Sequence, residues 1–205
     1  MELKQAIESR TSVRVYKKEP VPLSDLKEMV RLASMAPSIA NSQPWRFVIV
    51  TNRNLLEDMA RKVAFELENI QPNETRAAKN VKSQVEWFAT FFQDAPALIG
   101  LAMESYESVL EKGVVMSHDE INRKRNYPDI QSAGACIQNL LLAAVDMNYG
   151  ACWLSAPMMA KETLEKMLGL EDNWKLIAFV AVGKPDKLPG RKPVKSLDDM
   201  IKIIE

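Results

Sequence analysis

Three side chains near the N-terminus have the types and the spacing of an anion site. Arg10, Ser12 and Arg14 occupy alternate positions in the segment SRTSVR. In an extended backbone alternate residues project to the same side, so two guanidinium groups would lie beside one hydroxyl. This arrangement suits a phosphate or another dianion. The alternative is that the two arginines only complement the dipole of the helix that precedes them.

A second basic cluster lies near the other end of the chain. Lys184 follows a predicted strand in the segment GKP, and Arg191 lies in PGRKP. The glycines and prolines restrict the backbone, so Arg191 would be held at a defined place after the strand. The alternative is a solvated turn.

A polar loop leads directly into an aromatic strand in the segment SIANSQPWRF. Ser38, Asn41, Ser42 and Gln43 offer hydrogen-bond donors and acceptors just before Trp45. Because a rigid strand anchors the loop, these side chains could bind a ligand. Alternatively, they satisfy only the backbone of their own turn.

The overall charge gives no reason to expect a nucleic-acid or membrane partner. Lys plus Arg and Asp plus Glu both total 27, so the formal net charge is zero. No overall field attracts a polyanion, and an anion site must come from local charges.

The cysteines and the apolar runs indicate a cytoplasmic protein without a bound metal. Cys136 and Cys152 lack metal-ligand spacing, and the lone His118 cannot complete a zinc set. We interpret both cysteines as reduced packing residues. The N-terminus has no apolar signal core, and the apolar run Leu140 to Val145 is too short to span a bilayer.

The hydrophobic patterns predict one α+β domain over residues 1–205, with helices layered on a sheet. With 47% apolar residues the chain can fill such a core. The stretch 104–128 is polar and poorly periodic, and fits either a helix with a loop or a lid. Strands are predicted at Trp45–Thr51, Ala97–Met103, Ala151–Leu154 and Leu176–Val182. The longer predicted helices begin near Ser24, Leu55, Ala77, Ile130 and Ala160.

Local signals add three further predictions. Ser24 is expected to cap the N-terminus of its helix. Gly150 is expected just beyond the end of the long helix that begins at Ile130. Trp87 is expected in the core.

Four segments together resemble the nitroreductase family of FMN-dependent oxidoreductases. The resemblance covers almost the whole chain, and the segments occur in the family's order. It implies a mixed, largely antiparallel β-sheet layered by helices, in an intertwined homodimer that binds two FMN molecules at its interface. The segments are RTSVRVY, APSIANSQPWRFVIV, DIQSAGACIQNLLLAA with YGACWLSAP, and VGKP with PGRKPV.

The same resemblance implies which residues contact the cofactor. The N-terminal group would hold the phosphate and ribityl chain, closed by the C-terminal basic cluster. The loop after Pro37 would reach the flavin from the partner subunit, and the segment after Cys152 would line the ring near N5. The implied residues are Arg10, Thr11, Ser12, Arg14, Ser38, Asn41, Gln43, Trp153, Leu154, Ser155, Ala156, Lys184 and Arg191.

One helix departs from the family pattern. Some members place an Asn and a Lys, before the strand that begins with Ala-Pro, against the pyrimidine edge of the ring. Here the nearest positions are Phe88 and Phe91. Asn80 and Lys82 are the polar residues of this helix that could take that role.

The activity that the resemblance implies is FMN-dependent oxidation of NAD(P)H with a nitroaromatic, quinone or enone acceptor. The flavin carries the chemistry, so no catalytic side chain is required. Other chemistry on the same scaffold stays open, namely reductive dehalogenation or flavin fragmentation. A third possibility is a non-catalytic FMN-binding redox protein.

Overall fold

The structure is a computed structural model that describes residues 1–70, 76–106, 109–190 and 193–205, with only the backbone described for 76–80. In these residues four strands form one antiparallel sheet of order β1-β2-β4-β3. The predicted strands are confirmed. They are β1 (Trp45–Val50), β2 (Ala97–Glu104), β3 (Gly150–Leu154) and β4 (Trp174–Gly183).

Helices cover both faces of the sheet, as expected for an α+β protein with a layered sheet. The strand residues alternate between two apolar clusters. Ile99 and Val180 pack on one side with α2 and α6, while Leu98 and Phe179 pack on the other with α3 and α7. The helices are α1 (Leu3–Ser9), α2 (Leu23–Ala33), α3 (Arg53–Glu68), α4 (Arg76–Thr90), α5 (His118–Lys124), α6 (Pro128–Asp146) and α7 (Lys161–Met167).

The extended connector between α1 and α2, residues 10–22, is hydrogen-bonded to two other parts of the chain. Val13 N–H donates to the carbonyl of Ala151 in β3 at 3.1 Å. Further along, Lys17 N–H donates to the Lys184 carbonyl at 2.9 Å, and Asp186 N–H donates to the Val15 carbonyl at 3.1 Å. The connector is therefore fixed between the edge of the sheet and the chain that leaves β4.

Two of the local predictions were wrong at the ends of helices. Helix α2 begins at Leu23 after Pro22, so Ser24 lies inside its first turn, where its hydroxyl donates to Asp25. Beyond α6 the left-handed position belongs to Asn148, with φ 61°, because the chain needs that residue to turn into β3. Gly150 is instead the first residue of β3.

Gly150 allows the connector to approach the sheet closely. A Cβ atom at this position would lie 2.7 Å from Cγ2 of the buried Val13. Val13 is β-branched and has little freedom to move aside. Glycine is therefore required here because any larger side chain would collide with Val13, and not because the backbone has a left-handed φ.

We expect Gly150→Ala to lower the free energy of unfolding by about 1–3 kcal/mol, because it overpacks the contact with Val13. Denaturant unfolding measures this change. The matched control is Gly113→Ala, whose added Cβ would meet only the Leu110 carbonyl at 3.9 Å. Equal stability of the two variants would contradict the close approach of Val13 to β3.

Candidate functional site

The connector and the chain after β4 together enclose a cavity of about 490 Å³. Arg10, Thr11, Ser12 and Arg14 line one part of it, and residues 189–190 and 193–194 line another. The backbone bonds of the connector bring these two segments together. The cavity is thus built from opposite ends of the chain.

Arg14, which lines this cavity, carries an unsatisfied donor. Its Nη1 donates to the Ser12 carbonyl at 3.3 Å. Its Nε is buried and has no hydrogen-bond partner among the described residues. Since buried polar groups nearly always have partners, an acceptor on a bound ligand would complete this site.

The donors that line the cavity fit a phosphate monoester. Guanidinium groups and hydroxyls donate hydrogen bonds to phosphate oxygens, and Arg10 and Arg14 add two positive charges. Glu8 also borders the cavity, but its side chain is exposed. The positive side chains therefore outnumber the carboxylate.

The two predicted basic residues of the C-terminal cluster, Lys184 and Arg191, are not among the described residues that line the cavity. Arg191 lies outside the described residues, although Gly190 and Pro193 on either side line the cavity. Lys184 is not brought there: its Nζ donates to the Asn148 carbonyl at 3.1 Å and lies 3.8 Å from the centroid of the Tyr149 ring.

The residues after Cys152, at the end of β3 and just beyond it, alternate between exposed and buried positions. Trp153 is 44% exposed, whereas Cys152 and Leu154 on either side are buried. Ser155 is exposed, and Ala156 begins a short 3₁₀ helix. β3 also pairs with the connector at Ser12, a residue that lines the cavity, so this segment continues from the strand next to the connector.

The polar loop before β1 lies elsewhere in the same chain and is tied to α6. The Ile39 N–H donates to the Ser132 hydroxyl at 3.1 Å. Within the loop, the Gln43 N–H donates to the Ser38 hydroxyl at 3.0 Å, and the Gln43 side-chain amide donates to Asn41 Oδ1 at 3.3 Å. Some of the loop's polar side chains therefore form hydrogen bonds within the loop itself, as in the alternative in which they satisfy the backbone of their own turn.

The backbone of this loop is strained. Ala40, Asn41 and Gln43 all have left-handed φ values, 48°, 51° and 46° respectively. Non-glycine residues pay a conformational cost in this region, and such residues concentrate at binding sites. The strain is consistent with a loop that presents polar groups at a fixed place.

The stretch 104–128 contains a buried polar network that the sequence did not reveal. Asn122 is 5% exposed, and its Oδ1 accepts from the Tyr106 hydroxyl at 3.1 Å. Its Nδ2 therefore donates to Nε2 of His118 at 2.8 Å, which leaves Nδ1 of His118 to donate to Glu111 at 2.7 Å. The available signal was Ser117 with Glu120, a capping box that begins α5.

The chain belongs to the nitroreductase family, whose model matches residues 7–184. Among curated relatives, the Bacillus subtilis (strain 168) protein YfhC, provisionally named an NAD(P)H nitroreductase, is 27% identical over 91% of this chain and 86% of its own. Iodotyrosine deiodinase of Hydra vulgaris is 28% identical over 94% of this chain and 70% of its own.

Solved structures confirm the nitroreductase-like fold. A BluB-like flavoprotein from Clostridium difficile 630 superposes with a TM-score of 0.88 and 28% identity, and the match covers 100% of both chains. A nitroreductase with bound FMN from Desulfitobacterium hafniense DCB-2 has a TM-score of 0.75 with 20% identity, again over 100% of both chains. Within the described residues, no helix is both long and apolar enough to cross a membrane.

We expect Asn122→Ala to lower the free energy of unfolding by about 1–3 kcal/mol, because Tyr106 and His118 each lose a buried partner. Urea unfolding measures the change. Asn173→Ala is the matched control, since this Asn is exposed and donates to Glu104 on the surface. Its loss should cost less than about 0.5 kcal/mol, and a similar loss for Asn122 would contradict the buried network.

Proposed function

We propose that this protein is an FMN-dependent oxidoreductase that uses NAD(P)H to reduce an oxidised acceptor of the nitroaromatic, quinone or enone type. The observation that carries the proposal is the cavity in which Arg10, Ser12 and Arg14 meet the chain after β4. Membership of the nitroreductase family and the flavin-containing structural neighbours support it.

Arg10, Thr11, Ser12 and Arg14 would hold the phosphate and the ribityl chain of FMN. The buried Nε of Arg14 supports this assignment because it needs an acceptor. Arg191 would close on the phosphate from the C-terminal side, as the neighbouring cavity residues suggest. Lys184 is left out of this set because Asn148 and Tyr149 already engage it.

The flavin ring would lie against the segment from Trp153 to Ala156. The exposed Trp153 and Ser155 make this segment accessible, and its backbone N–H groups are fixed by the preceding strand. Fixed backbone donors stabilise charge without rearranging during a reaction. Ser38, Asn41 and Gln43 do not line the cavity of their own chain, so in this proposal they reach the ring from a second subunit.

A homodimer is therefore part of the proposal. The C-terminal tail carries Leu197, Ile203 and Ile204, which are 68%, 76% and 83% exposed. A separate apolar concavity of about 380 Å³ lies between α1, α2 and α6, beside the exposed Leu3 and Met35. Exposed apolar surface of this kind favours burial against a partner.

Bound FMN supplies two-electron transfer between a hydride donor and an acceptor. The chain's own groups would bind and orient the cofactor, and none of them needs to act as a general acid or base. Cys136 and Cys152 are both buried and form no disulfide, which supports inert packing roles. Burial raises the pKa of the Cys136 thiol to about 12, so this group stays protonated at neutral pH. Reduced thiols are also consistent with the cytoplasmic location that we propose.

Reductive dehalogenation is the second candidate. The Hydra vulgaris iodotyrosine deiodinase aligns with 94% of the chain, a share comparable to that of the Bacillus subtilis relative. A common scaffold does not decide between the two reactions. The difference must be measured with the acceptors themselves.

We expect Arg10→Ala to weaken FMN binding by about 10- to 100-fold, because it removes a charge-assisted contact with the phosphate. Riboflavin, which lacks the phosphate, should bind the variant and the unchanged protein almost equally. Quenching of flavin fluorescence gives both affinities. Arg61→Ala serves as the control, since Arg61 is exposed and pairs with Asp58 on α3. Unchanged FMN affinity in Arg10→Ala would show that the phosphate binds elsewhere.

We also expect the purified protein to bind FMN as a dimer and to oxidise NADH or NADPH under anaerobic conditions. Light scattering should give about twice the chain mass of 23.1 kDa. The reduced protein is then mixed with a nitroaromatic, a quinone or 3-iodotyrosine. Nitro or quinone reduction without iodide release supports the first candidate, and iodide release supports the second. Failure to bind FMN would exclude both.

A further inference from the structure

Arg14 is held against an aromatic ring of α4. Its guanidinium carbon lies 5.2 Å from the centroid of the Phe88 ring. A guanidinium within about 6 Å of an aromatic face is attracted by the negative face of the ring. No carboxylate pairs with Arg14 in the part of the chain that the structure describes. The ring and the Ser12 carbonyl, which accepts from Nη1, are therefore the contacts that oppose a change of its side-chain position.

Phe88 is itself connected to the core through other aromatic rings. Trp87 meets Phe88 edge to face, with centroids 4.9 Å apart and planes at 74°. Trp87 also lies 5.7 Å from the ring of Phe91, which is only 4% exposed. Such aromatic pairs add stability beyond the area that they bury. A row of rings thus runs from the core to Arg14.

The exposure of these rings argues against a purely packing role. Trp87 was expected in the core, but it is 50% exposed, and Phe88 is 38% exposed. At this exposure each ring leaves a large part of its apolar surface in water, so part of its possible hydrophobic stabilisation is not realised. Phe88 differs from Trp87 in that its ring contacts the Arg14 guanidinium.

Arg14 also needs positioning because it borders two cavities. Besides the cavity that it shares with Arg10, it lines a second one of about 650 Å³ together with Trp87 and Phe91. A flexible side chain with space on two sides has several alternative rotamers. Loss of the ring would remove one of the two contacts that restrain the guanidinium, and leave the hydrogen bond to the Ser12 carbonyl.

We propose that Phe88 is a positioning residue that holds the Arg14 guanidinium in place for the FMN phosphate and ribityl chain. This inference rests on the proposed function. Phe88 acts through Arg14 and does not itself touch the phosphate. Loss of the ring face should therefore weaken FMN binding only while Arg14 is present.

A double-mutant cycle tests the proposal, with FMN affinity measured by fluorescence quenching for Phe88→Leu, Arg14→Ala and the double variant. Phe88→Leu keeps an apolar side chain but removes the ring face, and should weaken FMN binding by about 3- to 10-fold. In the Arg14→Ala background the same change should have less than about a 2-fold effect. Phe88→Tyr keeps the ring and should retain the affinity of the unchanged protein.

The control is Phe65→Leu, the same substitution at a 58% exposed Phe of α3, which should leave FMN affinity unchanged. Additive effects of Phe88→Leu and Arg14→Ala, or failure of Phe88→Tyr to retain affinity, would overturn the inference and leave the proposed function intact. Absence of FMN binding by the unchanged protein would overturn both together.

Discussion

The candidate site depends on the backbone pairing of the connector after α1. Hydrogen bonds join this connector to Ala151 in β3 and to Lys184 and Asp186 beyond β4. These bonds bridge more than 130 residues of sequence and hold the connector where Arg10, Ser12 and Arg14 line one cavity. The buried Tyr16, whose hydroxyl donates to the Val13 carbonyl at 2.5 Å, stabilises the same segment. Without this pairing the arginines would lie on a loose extension of a seven-residue helix.

Close packing at the edge of the sheet makes this pairing possible. Gly150 and Gly183 leave room for Val13, Pro96 and Tyr16, because a Cβ on either glycine would lie less than 3.0 Å from a neighbouring side chain. The two glycines therefore serve the close approach of chain segments. They connect the stability of the fold to the shape of the cavity, since a shift of the connector would move the arginines with it.

Two aromatic rings, Phe88 of α4 and Phe91 just after it, give a physical account of the departure from the family pattern. Phe88 and Phe91 are the residues nearest to the positions that the resemblance assigns to an Asn and a Lys. Here Phe88 contacts Arg14, and Phe91 is buried in the core. Lys82, one of the polar residues expected to compensate, donates instead to the carbonyls of Glu68 and Ile70 at the end of α3. The side chain of Asn80 lies outside the described residues. In this chain Lys82 of α4 thus stabilises the C-terminal end of α3.

The sequence by itself determined the helices and strands, because burial of one or two faces of such an element leaves a periodic pattern of apolar residues along the chain. The four strands, the long α6 and the alternation of Arg10, Ser12 and Arg14 were all predicted in this way. Only the tertiary structure decided which distant side chains meet and which are exposed. Lys184 contacts the Tyr149 ring, Trp87 is half exposed, and Asn122 forms hydrogen bonds with Tyr106 and His118. These contacts depend on how whole helices and strands pack against each other, and the spacing of residues within one segment does not determine that packing.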